Sequence, residues 1–462
     1  MAVRRAGASR FRRCGAARAR LGGPDRQLFR AAGYVFRSLG PFESQDMQAS
    51  AVGRGPGRRE FVLLIAALMA SNAFGIDAML PALPAIGEAL DVTEENRRQL
   101  VITFYMLGFG VAQLAYGPLA DRFGRRRLLA GCMIAYAGFA LLCAMAGSFT
   151  LLLAARVLHG MAAAGSRVLV VAVVRDRYQG SAMAQIMSTA MMIFMIVPIL
   201  APSLGQLLLA LGSWRWIFVA LALYGLALAA WAVLRLPETL AREHRRPLSA
   251  RHFGAAVKET LTNRASAGNT LAMTLIFGAM IGMLNSIQQI VFDVFHQPAL
   301  LGLILACIAG PMAISAWLNS RLVMRFGSRR MLLVALSALT AMALLHLVVI
   351  LIVDESVWSF VVLQALTMAC FGLCGSNAGA LAMEPMGHIA GTASALQGLL
   401  STVGGALIGL IIGQSFNGTT VPLVGGFALC GALGLGVAAW ANKGLPAHAR
   451  NELTEPVEPP LG

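Results

Sequence analysis

Twelve stretches of about 20 residues are almost wholly apolar, and short polar segments separate them. They run at roughly 61–82, 99–117, 127–147, 150–174, 183–210, 215–235, 268–290, 299–320, 330–352, 357–379, 389–414 and 421–441. Runs of this length suit helices that cross the hydrocarbon core of a bilayer, where the segment must satisfy its own backbone polar groups. The pattern predicts an all-α membrane protein of twelve transmembrane helices.

The polar connections are of two kinds. Those after the odd-numbered runs carry few basic residues; in the first, Arg97 and Arg98 are offset by Glu88, Asp91, Glu94 and Glu95. Most of the others carry arginines, at Arg122 to Arg127, Arg175 to Arg177, Arg235 to Arg264 and Arg325 to Arg330, while the one after the tenth run has none. Basic loops stay in the cytoplasm, which places both termini there.

One basic loop occurs twice. Gly117-Pro-Leu-Ala-Asp121-Arg122-Phe123-Gly124-Arg125-Arg126-Arg127 is echoed by Met324-Arg325-Phe326-Gly327-Ser328-Arg329-Arg330, with Arg122 and Arg325 standing 203 positions apart. A loop repeated at half-chain spacing predicts two similar six-helix bundles in the same orientation. The expected divisions are a basic, disordered tail over 1–58, bundles over 59–235 and 267–442, a cytoplasmic linker over 236–266, and a tail over 443–462. Met47 is an alternative start. Within the linker, Ser249 to Leu261 reads either as plain connection or as a surface helix with Phe253, Val257 and Leu261 on one face.

Composition narrows the function. The 462 residues are 58% hydrophobic and only 13% charged, which excludes a soluble enzyme. The net charge of +16 sits in particular loops and the first tail, so topology accounts for it and nucleic acid is not an expected partner. Of seven cysteines, Cys14 lies in the tail and six lie in apolar runs. No metal set, cofactor motif or nucleophile–base arrangement is visible, so neither metal nor cofactor is expected.

Ionisable residues at membrane depth are costly and mark pathways or pairings. Asp77 lies about six residues inside the first run, or roughly 9 Å from its end, and Arg156 lies at similar depth in the fourth. The two read as a proton-coupling pair, Arg156 acting as counter-ion, or as a static ion pair locking two helices. Arg156, His159, Ala163 and Arg167 form one stripe on the fourth helix, which should face inward. Asn72, Phe74, His159, Arg167, Asn285, Gln288, Gln289 and Asn377 are the candidate cavity residues; interhelical hydrogen bonding is the alternative for the amides.

In the first basic loop, Gly117 and Gly124 would permit close approach and turning. Asp121 would pair with an arginine and help to close the cytoplasmic end, with Arg122, Arg125 and Arg126 in the same gate. Met324 replaces Asp121 in the second copy, so such a latch is one-sided. Pro198 and Pro202 would kink the fifth helix, and Gly205 would let a neighbour come close.

The loop Gly117 to Leu129 with its echo at Arg325 resembles the signature of the major facilitator superfamily. Arg156 with Gly160, and Ala201-Pro202 with Gly205, are similar to its motifs in the fourth and fifth spans; His159, Ala201 and Gln206 depart from the usual residues. Asp77-Ala-Met-Leu-Pro-Ala-Leu-Pro84 and Glu384-Pro-Met-Gly-His-Ile-Ala-Gly-Thr-Ala-Ser-Ala-Leu396 resemble the bicyclomycin-resistance (Bcr/CflA) branch of drug:proton antiporters. The resemblance implies a monomer in the bacterial inner membrane that exports small amphipathic compounds in exchange for protons. A metabolite exporter or proton symporter of the same superfamily is the alternative, and Asp77 and Arg156 are the implied coupling residues.

Overall fold

Prolines and glycines decide where the apolar runs begin and end as helices. The computed structural model describes residues 56–178, 180–194, 196–240 and 250–443. In chain order its helices are α1 Arg58–Asp77, α2 Leu83–Ala89, α3 Leu100–Phe123, α4 Arg125–Ala144 and α5 Phe149–Arg177. Then come α6 Gly180–Phe194, α7 Val197–Ala210, α8 Arg215–Arg235, α9 Ala250–Thr262 and α10 Arg264–Gln289. The last five are α11 Leu301–Phe326, α12 Ser328–Ile352, α13 Val357–Met383, α14 Ala390–Gln414 and α15 Val421–Ala441. No strand occurs among the described residues. The expected tails, with Cys14 and Met47, and the linker residues Arg242, Arg245 and Arg246 lie wholly or mostly outside them.

Among the described residues, ten helical segments are long and apolar enough to cross a membrane. One of these, Val357–Gln414, contains both α13 and α14, separated by a 3-10 turn at Glu384–Ile389. The fifth apolar run is broken, α6 ending at Phe194 and α7 starting at Val197. Pro198 has no N–H to donate to the Phe194 carbonyl, so the break falls where that hydrogen bond is missing. Pro202 lies within α7. The same physics shortens α1: Pro81 cannot bond the Asp77 carbonyl, and the helix stops at Asp77 rather than continuing to Ala82. Asp77 is therefore at the C-terminal end of α1, inside an apolar segment that continues through the Leu80–Ala82 turn and α2 to Ala89.

Both copies of the repeated loop turn on a glycine. Gly124 has φ 92° and ψ 155°, and Gly327 has φ 77° and ψ 150°, a region almost closed to residues with a Cβ. Each joins two long helices with a one-residue connection. Gly117 behaves differently from expectation: it lies inside α3, and a methyl group there would meet nothing within 4 Å. Close approach occurs instead at Gly108 and Gly160, where added methyls would strike the carbonyls of Val157 and Tyr105 and push α3 off α5. Gly205 brings α7 against the Ala78 carbonyl at the end of α1. Gly278, Gly282, Gly405 and Gly409 do the same between α10 and α14.

The linker does contain a helix, α9, over Ala250–Thr262. Ala256 and Thr260 are buried, the Thr260 hydroxyl lying 3.8 Å from the Met386 sulfur, while Leu261 is half exposed. Small side chains let α9 lie close to the Glu384–Ile389 turn and α14.

Gly124→Ala should destabilise the purified protein by about 1–3 kcal/mol, whereas Gly117→Ala should be neutral or stabilising by about 0.5–1 kcal/mol, as for an unhindered helical glycine. Thermal unfolding of both variants in detergent checks this, and equal effects would contradict the turn assignment.

Candidate functional site

A guanidinium with no solvent exposure stands at the centre of the first set of helices. The α5 helix is capped by Ser148, whose hydroxyl accepts from Leu151 N–H at 3.3 Å. The glycine contacts described above press it onto α3, bringing Arg156 between α1 and α3. Its Nε donates to the Val101 carbonyl and its Nη2 to the Gly75 carbonyl, each at 2.9 Å. Nη1 lies 3.2 Å from His159 Nδ1, and the group stacks 4.3 Å from the Tyr105 ring centroid. Arginine can only donate, so His159 Nδ1 accepts and the imidazole proton sits on Nε2, which is buried without a partner. The Gly75 carbonyl belongs to the last turn of α1, where the helix dipole favours a cation.

The expected Asp77–Arg156 ion pair is not formed. Arg156 is held by the Val101 carbonyl and by the Gly75 carbonyl, two residues short of Asp77, and Asp77, only 7% exposed, makes no hydrogen bond or ion pair among the described residues. It also stands at the C-terminal end of α1, the unfavourable end for an anion. A carboxylate so placed is costly while charged.

Nearby, Tyr105 donates to Asn72 Oδ1 at 3.2 Å, Tyr136 donates to the Ser71 carbonyl at 2.9 Å, and Phe74 meets Tyr224 edge-on at 5.4 Å. His159 is packed against Tyr136, and Arg167 is exposed and makes no pairing among the described residues.

At the arginine-rich end, Arg125 is the hub. Its Nη1 pairs with Asp121 at 2.8 Å, its Nε with Asp176 at 3.2 Å, and its backbone N–H donates to Glu238 at 2.7 Å. Thr239 donates to Asp176 at 3.0 Å, Arg126 bonds the Val233 carbonyl, and Arg122 lies over Phe123. Asp121 thus pairs with an arginine, but every partner in this set precedes residue 241. The network fastens early helices to one another and does not bridge to the later ones. Asp176 and Glu238 are hubs that sequence reasoning did not single out; acids flanked by arginines or a proline were the available signal.

The opposite, arginine-poor end is closed by amides. Gln99 bonds Gln289 and donates to the Gly413 carbonyl at 3.1 Å. Asn96 donates to the Phe416 carbonyl and accepts from Gln289, both at 2.9 Å, and Gln414 donates to the Asn96 carbonyl at 2.6 Å. Asn285 donates to the Gly409 carbonyl at 3.1 Å, and further along Gln113 donates to Thr402 at 3.1 Å. Two proposed cavity residues, Asn285 and Gln289, are therefore committed to helix–helix bonds. So is Asn377, which donates to Asn319 at 2.8 Å and to the Leu373 carbonyl. Gln288 is buried and makes no such bond. Asn96, Gln99, Gln113 and Gln414 were missed because their partners lie some 190 to 320 positions away.

Asp176→Asn should cost about 1–3 kcal/mol, because Asp176 is 16% exposed and holds both Arg125 and Thr239. Asp121→Asn, at 46% exposure, should cost under about 1 kcal/mol. Unfolding midpoints of the two purified variants test the order, and the reverse order would displace Arg125–Asp176 as the principal tie.

Residues 63–409 match the Major Facilitator Superfamily. The chain is 31% identical over 377 residues to the MFS-type transporter YdgK of Bacillus subtilis, covering 80% of this chain and 92% of that one. It is 28% identical over 375 residues to a bicyclomycin resistance protein homolog of Haemophilus influenzae, covering 80% and 93%. Multidrug resistance protein MdtL of Escherichia coli is 27% identical over 400 residues, covering 85% and 98%. In three dimensions the chain is similar to the human organic anion transporter MFSD10, with a TM-score of 0.63 at 20% identity over 84% of this chain and 100% of that one. By sequence and by fold, the chain belongs to the Major Facilitator Superfamily of membrane transporters.

Proposed function

We propose that the protein exports small amphipathic compounds from a bacterial cytoplasm in exchange for protons, working as a monomer in the inner membrane. The names of the bicyclomycin- and multidrug-resistance relatives support the substrate class. Counting Val357–Gln414 as two crossings, and α6 with α7 as one broken crossing, supports twelve spans. On this reading the spans form two six-helix bundles, over 59–235 and 267–442, joined by the linker 236–266, with both termini and the arginine-rich end in the cytoplasm. The amide contacts then close the outer side, and the protein is captured facing inward.

The observation that carries the proposal is Asp77, a nearly buried carboxylate with no donor and no counter-ion. Such a group takes a proton when its surroundings dry out and gives it up when water or a cation reaches it. Alternating access supplies that change: Asp77 is protonated from the outside and discharges inward as substrate is loaded. Arg156, fixed to the Gly75 carbonyl, holds positive charge beside the end of α1 and biases the exchange. Pro198, Pro202 and Gly205 place a flexible joint in α7 against that same end, and the Arg125 network keeps the cytoplasmic ends of the early helices moving as one body.

In proteoliposomes, Asp77→Asn should abolish substrate-driven proton movement and uphill export while downhill flux persists. Arg156→Ala should also lose uphill export while still reaching the membrane. Uphill accumulation with normal proton exchange in Asp77→Asn would overturn the coupling assignment.

A further inference from the structure

Arg167 lies deep among protein atoms, yet its side chain is exposed and makes no hydrogen bond, ion pair or ring contact among the described residues. Two ordinary explanations fail. The first is lipid exposure. Of the large apolar residues that α5 exposes, Leu151, Leu158 and Met161 share one side of the helix, and Arg167 projects roughly 120° or more away from them. It falls instead within about 20° of the buried Arg156. Only Val171, one turn on, is exposed on the Arg167 side, and a bare guanidinium facing acyl chains there would be very costly. The second is snorkelling to the arginine-rich end. Ten residues separate Arg167 from Arg177 at the end of α5, or about 15 Å of helix, further than the side chain reaches.

An internal partner is also lacking. Ser166 meets the Ser71 hydroxyl at 3.0 Å, which sets Arg167 level with the middle of α1; Asp77 is six residues, roughly 9 Å, further along. The α5 helix packs on α1, α3, α4 and α6, all early elements. Apart from their two end turns and Arg321 of α11, which stacks on the Trp317 ring, the later spanning helices contain no Asp, Glu, Lys or Arg. On the transport reading, the space between the early and late helices then meets one unneutralised guanidinium from α5 on an otherwise apolar and amide-lined wall.

We infer that Arg167 is the seat of an anionic group on the substrate, so that the preferred cargo is an amphiphile bearing one carboxylate or a similar acid. The inference rests on the transport reading above and gives it a substrate class. A planar guanidinium binds a carboxylate through paired N–H donors, and a site with little water strengthens that bond. The apolar body of the cargo packs on the surrounding aliphatic wall. A lipophilic cation at the same place would meet an uncompensated like charge.

The test is equilibrium binding to purified protein in neutral phosphatidylcholine nanodiscs, using 4-heptylbenzoate and its uncharged counterpart 4-heptylbenzamide. Wild type should bind the benzoate more tightly. Arg167→Gln should weaken the benzoate by about tenfold to a hundredfold and leave the benzamide nearly unchanged, and Arg167→Lys should restore part of the loss. Equal weakening of both probes, or no change in the benzoate, would overturn the assignment. So would competition by phosphatidylglycerol that disappears in Arg167→Gln, since the seat would then belong to a lipid headgroup. Binding needs no proton gradient, so a failure of proton coupling leaves this result standing, and a failure here leaves export of neutral compounds intact.

Discussion

A bilayer interior supplies no water to a buried charge, so the chain must meet each polar group itself or leave it beside an open route. Arg156 shows the first solution. Its guanidinium is held by carbonyls from α1 and α3, which are within reach only because Gly108 and Gly160 allow α3 and α5 to touch along their backbones. The arrangement is an arginine clamp supported by two glycines, and the placement of Asp77 follows from it. With Arg156 taken by the Gly75 carbonyl, the carboxylate at the end of α1 is left without a partner.

The two ends of the molecule are held by different chemistry. Charged groups around Arg125 tie α3, α4, α5 and the Glu238 segment at the arginine-rich end. Amides join early and late helices at the other end. A neutral hydrogen bond contributes only about 0.5–1.5 kcal/mol net, and breaking it leaves no bare ion behind. Under the proposed mechanism this division is useful: the permanent ties lie within one half, and the ties between halves are those most readily exchanged for water.

Interior charge is also divided unequally. Asp77, Arg156 and Arg167 all stand on early helices, while the later helices offer amides, methionines and aromatic rings. A pairing at His346, whose Nε2 lies 2.6 Å from Glu355, belongs to the packing of α12 against α13 near the arginine-poor end. The proposed transport chemistry therefore resides in the early half, and the later half supplies the wall against which it works.

Much of the architecture was legible in the chain. That it is all-helical with many apolar spans follows from the length of the apolar runs, and the turn at Gly124 and the break near Pro198 act within a few residues through sterics and a missing N–H group. The stop of α1 at Asp77, short of the expected end near Ala82, was not anticipated. The burial of Arg156 and His159 on one face of α5 was also readable, since helical period fixes which residues share a face, whereas Arg167 on the same stripe is exposed. Pairing was not. Arg156 was expected on Asp77 and binds backbone, Asn285 and Gln289 were open between lining a cavity and bonding between helices and do the latter, and Gly117 was expected to pack closely and does not. Local chemistry determines what each element is and what each side chain can offer. Which partner accepts the offer depends on distances between elements far apart in sequence, and only the packed tertiary structure sets those.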